Sequence, residues 1–219
     1  MNAWFFDMDG TLFNSMPAHA LAWEAVMSRH QLHFTQADCY RGEGKRGEDV
    51  IRECILTQQH REPTHEEVML IYKEKSDLFT SMGITQPIDG ANDLLQYLKA
   101  KGEQLWIVTG SAQQSLFQRL DTVFPGIFTR ERMVTADDVS HGKPHPEPYF
   151  TAWQRSRLTK EQCRVVENAP LGIISGKKAG LFTLAINTGP LPDQDLIDAG
   201  ADQVCHSMKE IKEICQGNF

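Results

Sequence analysis

The chain has 219 residues, of which 41% are hydrophobic and 23% are charged, proportions typical of a globular protein with a substantial core. Its formal charge of −7 argues against a surface for nucleic acids or anionic membranes, and no apolar run approaches the roughly 20 residues of a transmembrane helix. Five widely spaced cysteines without a CxxC pair are typical of a reduced, cytoplasmic protein.

The first predicted element is a short buried strand, because the sequence WFFDMDGT begins with three aromatic residues. This strand ends in Asp7, Asp9 and Gly10. Burying two acids so close together is unfavourable unless a cation or hydrogen-bond donors compensate their charge. The pair therefore marks the tip of this strand as a candidate functional site.

The stretch from residue 16 to about 83 contains helical periodicity at 18–30 and 66–82 but no convincing strand. A connection of roughly 70 residues is far longer than an ordinary loop. We therefore predict a helical cap domain at 15–85, inserted into a core domain formed by 1–14 and 86–219. Residues 14–16 and 80–86 are the predicted hinges.

From residue 105 onwards, short apolar runs alternate with amphipathic segments. Strands are predicted at 105–109, 163–167 and 181–186, with weaker candidates at 133–136 and 202–205. Helices are predicted at 91–101, 112–120, 148–158 and 171–179. This alternation is typical of an α/β fold with a parallel sheet covered by helices on both faces.

Polar residues follow the predicted strands, at the edge where ligands gather in open parallel sheets. The first strand supplies carboxylates, and the later ones supply hydroxyl, amide, carboxylate and ammonium groups. The candidates are Asp7, Asp9, Thr109, Gly110, Ser111, Lys143, Glu167 and Asn168. Carboxylates alone would repel a phosphate, whereas Mg²⁺ between them and a nearby lysine would attract one. This set of groups therefore favours phosphoryl transfer with Mg²⁺ as the cofactor.

Four sequence motifs carry a resemblance to a known family. The segments DMDGT, TGS, GKPHPEPY and VVENAPLG resemble, in this order, the four motifs of the haloacid dehalogenase superfamily. The helical insertion after the first motif and the GKPxPxxY pattern are similar to the β-phosphoglucomutase-like branch. The resemblance implies a Rossmann-like parallel-sheet core with an inserted helical cap.

The resemblance also implies roles for individual residues. Asp7 would be the nucleophile that forms an aspartyl-phosphate, and Asp9 the general acid and base. Mg²⁺ would be held by the Asp7 carboxylate, by the backbone carbonyl of Asp9 and by a side chain of the fourth motif, Asn168 or Glu167, although Glu167 could instead orient other groups. The transferring phosphoryl group would be held by Thr109, Gly110, Ser111 and Lys143.

Two residues of the insertion are further candidates. The fourth motif has Glu167-Asn168 where the branch usually has Glu-Asp, so one metal ligand lacks its charge. We hypothesise that Glu43 supplies the missing acid as a metal ligand and substrate contact, although loop charges usually face water. His19 is either a substrate-binding residue at the edge of the site, as in relatives, or a partly buried structural histidine.

The sequence of the loop that contains Glu43 helps to distinguish between possible substrates. Mutases of this branch need cations there for a second phosphate and usually have Lys-Gly-x-Ser-Arg, whereas this chain has EGKRG at 43–47. This pattern, with ENAPLG and NTGPL, is similar to inorganic pyrophosphatases of the branch. We therefore expect hydrolysis of pyrophosphate or a related small phosphate, by a monomer without nucleic-acid or membrane partners. The alternatives are a β-phosphoglucomutase acting on a sugar phosphate and a non-catalytic phosphate-binding scaffold.

Overall fold

The computed structural model describes residues 1–83, 86–111 and 116–217, without the side chain of Leu116. Six parallel strands form one sheet: β1 (Ala3–Phe6), β2 (Gln104–Val108), β3 (Met133–Val134), β4 (Cys163–Glu167), β5 (Phe182–Ile186) and β6 (Gln203–Cys205). Their order across the sheet is β3-β2-β1-β4-β5-β6. The predicted α/β fold with a parallel sheet is confirmed.

The register of the central strands brings the motif residues to one edge of the sheet. Phe6 of β1 pairs with Ile107 of β2 and with Val166 of β4. The next residue, Asp7, still donates its backbone N–H to the carbonyl of Val166, at 3.0 Å. Since all three strands run in the same direction, the polar residues that follow them emerge side by side.

Ten α-helices accompany this sheet within the described ranges: α1 (Met16–Arg29), α2 (Gln36–Arg41), α3 (Gly47–Gln59), α4 (His65–Ser81), α5 (Ala91–Ala100), α6 (Leu116–Val123), α7 (Glu147–Ser156), α8 (Pro170–Lys178), α9 (Asp193–Asp198) and α10 (Met208–Gln216). None of them is long and apolar enough to cross a bilayer. Of the helix predicted at 112–120, residues 112–115 lie outside the described part of the chain.

The structure corrects several sequence predictions. Helices α2 and α3 were not predicted, because α2 is short and α3 fully buries only two apolar side chains, Ile51 and Ile55, which leaves a sparse pattern. Helices α9 and α10 were not predicted either. The strand predicted at 133–136 contains only Met133 and Val134, because Thr135 caps a 3₁₀ turn at Ala136–Asp138.

The sheet is covered on both faces, as expected. Side chains of one strand alternate between the faces: Trp4 and Phe6 pack with α5 and α10, whereas Ala3 and Phe5 pack with α7. The strands therefore read as continuous apolar runs, as in other sheets that are buried on both sides.

Helices α1–α4 enclose a separate apolar cluster, which includes Trp23, Val26 and Ile71. We call the segment that they form, residues 16–81, the helical insertion. The chain leaves and rejoins the core near one hydrogen bond, from Asn14 N to Gln86 O at 2.9 Å. The domain boundaries and hinges stay predictions, and residues 84–85 of the second hinge lie outside the described ranges.

Candidate active site

A buried lysine lies between two carboxylates at the carboxyl edge of the sheet. The Nζ of Lys143 donates to Oδ1 of Asp7 and to Oε1 of Glu167, both at 2.6 Å, and to the carbonyl of Val108 at 3.1 Å. The lysine side chain is 1% exposed, so water does not share these hydrogen bonds. Residues from three motifs, distant in sequence, thus form one charge network.

Glu167 is held by four donors. Its Oε1 accepts from Lys143 and from the hydroxyl of Tyr149 at 2.9 Å, and its Oε2 accepts from the backbone N–H groups of Asn168 and Ala169. A side chain at Gly172 would collide with this carboxylate, which shows how tightly it is enclosed. Both oxygens already have protein partners, so this geometry favours a positioning role for Glu167 over metal ligation.

Tyr149 was missed by the sequence analysis as a site residue, although it is the tyrosine of the GKPHPEPY motif. Its hydroxyl is buried against the Glu167 carboxylate. The signal that could have found it is the conflict between a polar hydroxyl and an otherwise apolar helix face, since a buried hydroxyl needs a partner.

Burial and neighbouring charges together set the pKa values of Asp7 and Lys143. Burial raises the pKa of Asp7 to about 8, because removal from water and the nearby Glu167 charge outweigh the stabilising Lys143 ammonium. Burial alone would lower the pKa of Lys143, but Asp7 and Glu167 together raise it above its ordinary value. A further positive charge beside Asp7 would therefore lower the pKa of this residue and stabilise its ionised carboxylate.

Asp9 has a different environment. Its Oδ1 accepts from the hydroxyl of Ser15 at 2.6 Å and lies 3.3 Å from Nε2 of His19 and 3.6 Å from a guanidinium nitrogen of Arg119. Burial would raise the pKa of Asp9, but His19, Arg119 and Ser15 together hold it well below its ordinary value. Sequence analysis missed Ser15 and Arg119. Ser15 follows the first motif closely, whereas nothing in the sequence around Arg119 indicates this contact.

His19 packs within the insertion and also reaches the first motif. Its ring stacks on Phe79 at a centroid distance of 3.9 Å, while Nδ1 lies 2.6 Å from Nζ of Lys75 and Nε2 faces Asp9. Burial and the adjacent Lys75 lower the pKa of His19, against the opposing charge of Asp9. The histidine is thus packed in the insertion and contacts a residue of the first motif.

Lys75 was not predicted as a site residue. It is 5% exposed and its Nζ lies over the rings of Trp23 and Phe79. Burial lowers the pKa of Lys75 to about 8. A charged residue on the apolar face of a predicted helix is the sequence signal that could have found it.

The structure places Glu43 against the fourth motif. Its Oε1 accepts from Nδ2 of Asn168 at 2.7 Å, and Oδ1 of Asn168 accepts from the hydroxyl of Thr11 at 2.9 Å. A side chain at Gly10, whose φ is +81°, would collide with both Asn168 and Glu43. Burial raises the pKa of Glu43 well above its ordinary value, partly opposed by Asn168 and reinforced by the other acids. The acid of the insertion thus reaches the core, although whether it binds a metal stays a prediction.

The second motif, at 109–111, lies next to the loop at 42–47, which contains Glu43. Oγ1 of Thr109 accepts from the backbone N–H of Ser111 at 3.1 Å. A Cβ built on Gly110 would lie 3.2 Å from the carbonyl oxygen of Gly44. A glycine at position 110 therefore allows the insertion loop to approach the end of β2 closely.

A cavity of about 550 Å³ connects these groups. Its floor contains Asp7, Asp9 and the segment Thr109, Gly110 and Ser111, and its walls come from α1–α4 and the loop at 42–47. The cavity is of the size that binds small organic ligands. Seven of the predicted site residues line it, the five of the floor together with His19 and Glu43 from the insertion.

The oxygen groups around this cavity fit a hard divalent cation. Asp7 supplies a carboxyl oxygen, Asp9 a backbone carbonyl oxygen and Asn168 an amide oxygen, which are ligand types that Mg²⁺ prefers. The raised pKa values of Asp7 and Glu43 show that these buried acids lack sufficient positive charge around them. A cation among them would relieve this deficit.

Comparison with known proteins agrees with this arrangement. Residues 4–186 match the family profile described as haloacid dehalogenase-like hydrolase. Hexitol phosphatase A of Escherichia coli is 32% identical over 213 residues, which cover 97% of this chain and 94% of that protein. A phosphorylated carbohydrates phosphatase of Thermotoga maritima is 27% identical, over 96% of this chain and all of that protein.

Among solved structures, a Bacteroides vulgatus protein provisionally named a β-phosphoglucomutase superposes with a TM-score of 0.94. It is 38% identical, and the match covers 99% of this chain and 88% of that one. The names of these relatives do not support the expected resemblance to inorganic pyrophosphatases. They do support the resemblance to the superfamily and to its β-phosphoglucomutase-like branch, and the chain belongs to the haloacid dehalogenase-like hydrolases.

Proposed function

We propose that this protein is a Mg²⁺-dependent phosphatase that hydrolyses small phosphorylated sugars or polyols through a phosphate ester on Asp7. The observation that carries this proposal is the position of Asp7 at the tip of β1, 2.6 Å from the Lys143 ammonium and open to the cavity. A carboxylate nucleophile beside a lysine and near a second carboxylate, Asp9, is the set of groups that two-step phosphoryl transfer requires.

In the first step, an oxygen of Asp7 attacks phosphorus and the bond between phosphorus and the substrate oxygen breaks. The leaving oxygen takes a proton from Asp9. In the second step, water attacks the aspartyl-phosphate, Asp9 takes the proton of that water, and inorganic phosphate leaves. Lys143 holds Asp7 in place and compensates its charge, while Glu167 and Tyr149 hold the lysine.

Mg²⁺, when bound, would neutralise charge on the phosphate and lower the barrier to attack by the Asp7 anion. Asp7, Asp9 and Asn168 would hold it, with Glu43 as an additional acid that contacts Asn168. Thr109, Gly110 and Ser111 would surround the phosphoryl oxygens at the end of β2.

The surroundings of Asp9 suit a base in the second step. His19, Arg119 and Ser15 keep its pKa below the ordinary value, so it is ionised when water must be deprotonated. The negative charge of an incoming phosphate raises the pKa of a nearby carboxyl. Substrate binding would therefore favour the protonated form that the first step needs.

A carbohydrate substrate is favoured over pyrophosphate by the cavity and by the relatives. The cavity volume of about 550 Å³ and its apolar walls, which include Trp23 and Phe34, suit an organic group attached to the phosphate. The two curated relatives compared above are named for hexitol and carbohydrate phosphates.

Pyrophosphate remains the second candidate because of one contact, the hydrogen bond between Glu43 and Asn168. An acid beside an amide would suit a metal bound to a compact, highly charged substrate.

A mutase reaction is less well supported, because it requires cations for a second phosphate. In the loop at 42–47, Lys45 pairs with Glu53, and Arg46 donates to the carbonyl of Ser140. Both cations of this loop thus already have partners.

The test is phosphate release with Mg²⁺ from hexitol phosphates, hexose phosphates, β-glucose 1-phosphate and pyrophosphate, with product identification for the sugar phosphates. We expect the highest kcat/KM with a hexitol or hexose phosphate and no turnover in Asp7→Asn. A higher kcat/KM with pyrophosphate would select the second candidate, and formation of glucose 6-phosphate would select the mutase. Equal turnover by Asp7→Asn would overturn the mechanism.

A further inference from the structure

Two histidines and a glutamate converge beside the loop that contains Lys143. Oε2 of Glu147 lies 2.9 Å from Nδ1 of His141 and 3.8 Å from Nδ1 of His145, and the two imidazole rings are 4.6 Å apart. One potential ligand atom from each residue lies within 4.8 Å of the others. We propose that these three residues form a second metal site, selective for a divalent transition metal such as Zn²⁺.

The distances are compatible with metal binding after small side-chain rotations. With ligand bonds of about 2.0–2.2 Å, the ligand atoms of a tetrahedral zinc site are roughly 3.3 Å apart. The side chains of His141 and His145 are 65% and 50% exposed, so both rings can rotate toward each other without displacing the core. Water would complete the coordination from the exposed side.

The carboxylate is already oriented for this role. Its Oε1 accepts from the backbone N–H of Ser140 at 2.8 Å, and its Oε2 accepts from the backbone N–H of His141 at 2.9 Å. Oε1 retains a second lone pair for a metal, and the second donor to Oε2 is the imidazole of His141, which would itself turn to the metal. Among the described residues, the ion pairs of Glu147 involve only His141 and His145, so no arginine or lysine competes for the carboxylate.

Metal binding would change the tautomer of one histidine in the cluster. Because a carboxylate only accepts, the short contact between His141 Nδ1 and Glu147 requires a proton on that nitrogen. Nδ1 of His145, in contrast, accepts from the backbone N–H of Glu147 at 3.2 Å. A metal that binds Nδ1 of His141 would therefore require the neutral tautomer with its proton on Nε2.

The chemistry of the ligands distinguishes this site from the proposed Mg²⁺ site. Imidazole nitrogen suits Zn²⁺, Ni²⁺, Co²⁺ and Cu²⁺, whereas Mg²⁺ prefers oxygen ligands. The active site supplies oxygen groups, and the cluster of His141, His145 and Glu147 supplies two nitrogen ligands. Excess Mg²⁺ should therefore occupy the first site and leave the second to a transition metal.

Metal binding by His141, His145 and Glu147 would affect the loop that contains Lys143. His141 and His145 flank Lys143 in sequence, and Glu147 is the first residue of α7. The carbonyl of His145 also accepts from the hydroxyl of Ser175 on α8, at 2.6 Å. A bound metal would therefore connect both sides of the Lys143 loop to the start of α7 and restrict its movement.

The proposal is tested by calorimetric titration of the full chain with Zn²⁺ in excess Mg²⁺, for wild type, His141→Ala, His145→Ala and His206→Ala. His206 is the matched control, because it is an exposed histidine that pairs with Asp193 and Glu210 but belongs to no group of three potential metal ligands found among the described residues. We expect one Zn²⁺ per chain in the wild type and the control. Each of the two cluster variants should bind at least about tenfold more weakly.

The variant His145→Ala keeps the hydrogen bonds of Glu147 to Ser140 and His141, so it should fold normally, which circular dichroism would check. Co²⁺ offers a second readout, since its visible absorption reports nitrogen-containing tetrahedral or five-coordinate sites and should disappear in both cluster variants. Absence of Zn²⁺ binding by the wild type would refute the site. So would equal Zn²⁺ affinity in the wild type and His145→Ala.

Discussion

Lys143 and Lys75 are both buried lysines of the candidate active site, but their partners differ. Lys143, from the core, donates to two carboxylates and a carbonyl, and these charges raise its pKa. Lys75, from the helical insertion, contacts an imidazole and two aromatic rings, and burial lowers its pKa to about 8. The core thus surrounds its buried lysine with carboxylates, whereas the insertion buries a lysine without a carboxylate within hydrogen-bond distance among the described residues.

This difference indicates that the core and the helical insertion have different roles in the candidate active site. The core holds Asp7, Lys143 and Glu167 in one hydrogen-bond network without a residue of the insertion. The insertion contributes Glu43, His19 and Lys75, and Glu43 and His19 contact Asn168 and Asp9 of the core. Changes on the core side should therefore abolish chemistry or stability, and changes on the insertion side should adjust metal affinity and pH dependence.

The largest effect is expected for Asp7→Asn, which removes the nucleophile while keeping the shape of the side chain. We expect turnover of a hexitol phosphate to fall by about a thousandfold or more. The measurement is phosphate release, together with acid-quench detection of phosphorylated protein. The control is Asp195→Asn on the exposed face of α9, which should keep wild-type turnover. Normal activity in Asp7→Asn would contradict the assignment of Asp7 as the nucleophile and the role of the core in the chemistry.

Lys143→Met tests the charge network of the core. It leaves the buried carboxylates of Asp7 and Glu167 without their cation, so the free energy of unfolding should fall by about 3–5 kcal/mol. Urea denaturation measures this change, and Lys178→Met, at an exposed position, is the control. Adding Glu167→Gln should recover part of the loss, because one uncompensated charge is removed. Purely additive losses would show that the two residues do not interact.

Lys75→Met tests the charge in the insertion through pH. Because the pKa of Lys75 is about 8 in the folded chain and its ordinary value is 10.5, the unfolded chain binds more protons between these pH values. The stability contributed at this position therefore rises with pH across this window, by on the order of 2 kcal/mol. Lys75→Met should lack that rise.

Urea midpoints of both proteins from pH 7.5 to pH 10, a range chosen around this window, would measure the difference. Lys73→Met provides the control, since Lys73 is an exposed lysine of the same helix, paired with Asp77. Parallel pH curves for wild type and Lys75→Met would show that the buried lysine does not titrate in this range.

The smallest effect is expected for Glu43→Gln, which removes the acid that contacts Asn168. We expect the Mg²⁺ concentration for half-maximal activity to rise about tenfold. Glu62→Gln, on an exposed loop of the same insertion, should leave it unchanged. An unchanged Mg²⁺ requirement in Glu43→Gln would assign Glu43 to the positioning of Asn168 alone.

The sequence predicted the sheet and the groups at its edge for a clear physical reason. Apolar runs such as those of β2, β4 and β5 can be buried on both faces only in a covered parallel sheet, and such strands end at a common edge. The polar residues after these strands therefore had to meet. Arg119 was missed because its contact crosses between elements that no local pattern relates. Ser15, six residues after Asp9, and Lys75, on the buried face of a predicted helix, did have local signals.

By itself, then, the sequence determined the α/β core, the long helical insertion and the placement of Asp7 and Glu167 at one edge of the sheet, because short apolar strands that alternate with helices are typical of a covered parallel sheet. Only the tertiary structure decided that Glu43 reaches Asn168, that His19 joins Lys75 to Asp9, and that Glu167 is enclosed by four donors. These contacts depend on how the insertion packs over the edge of the sheet. That packing results from surfaces assembled from distant segments, whose mutual fit no short stretch of sequence records.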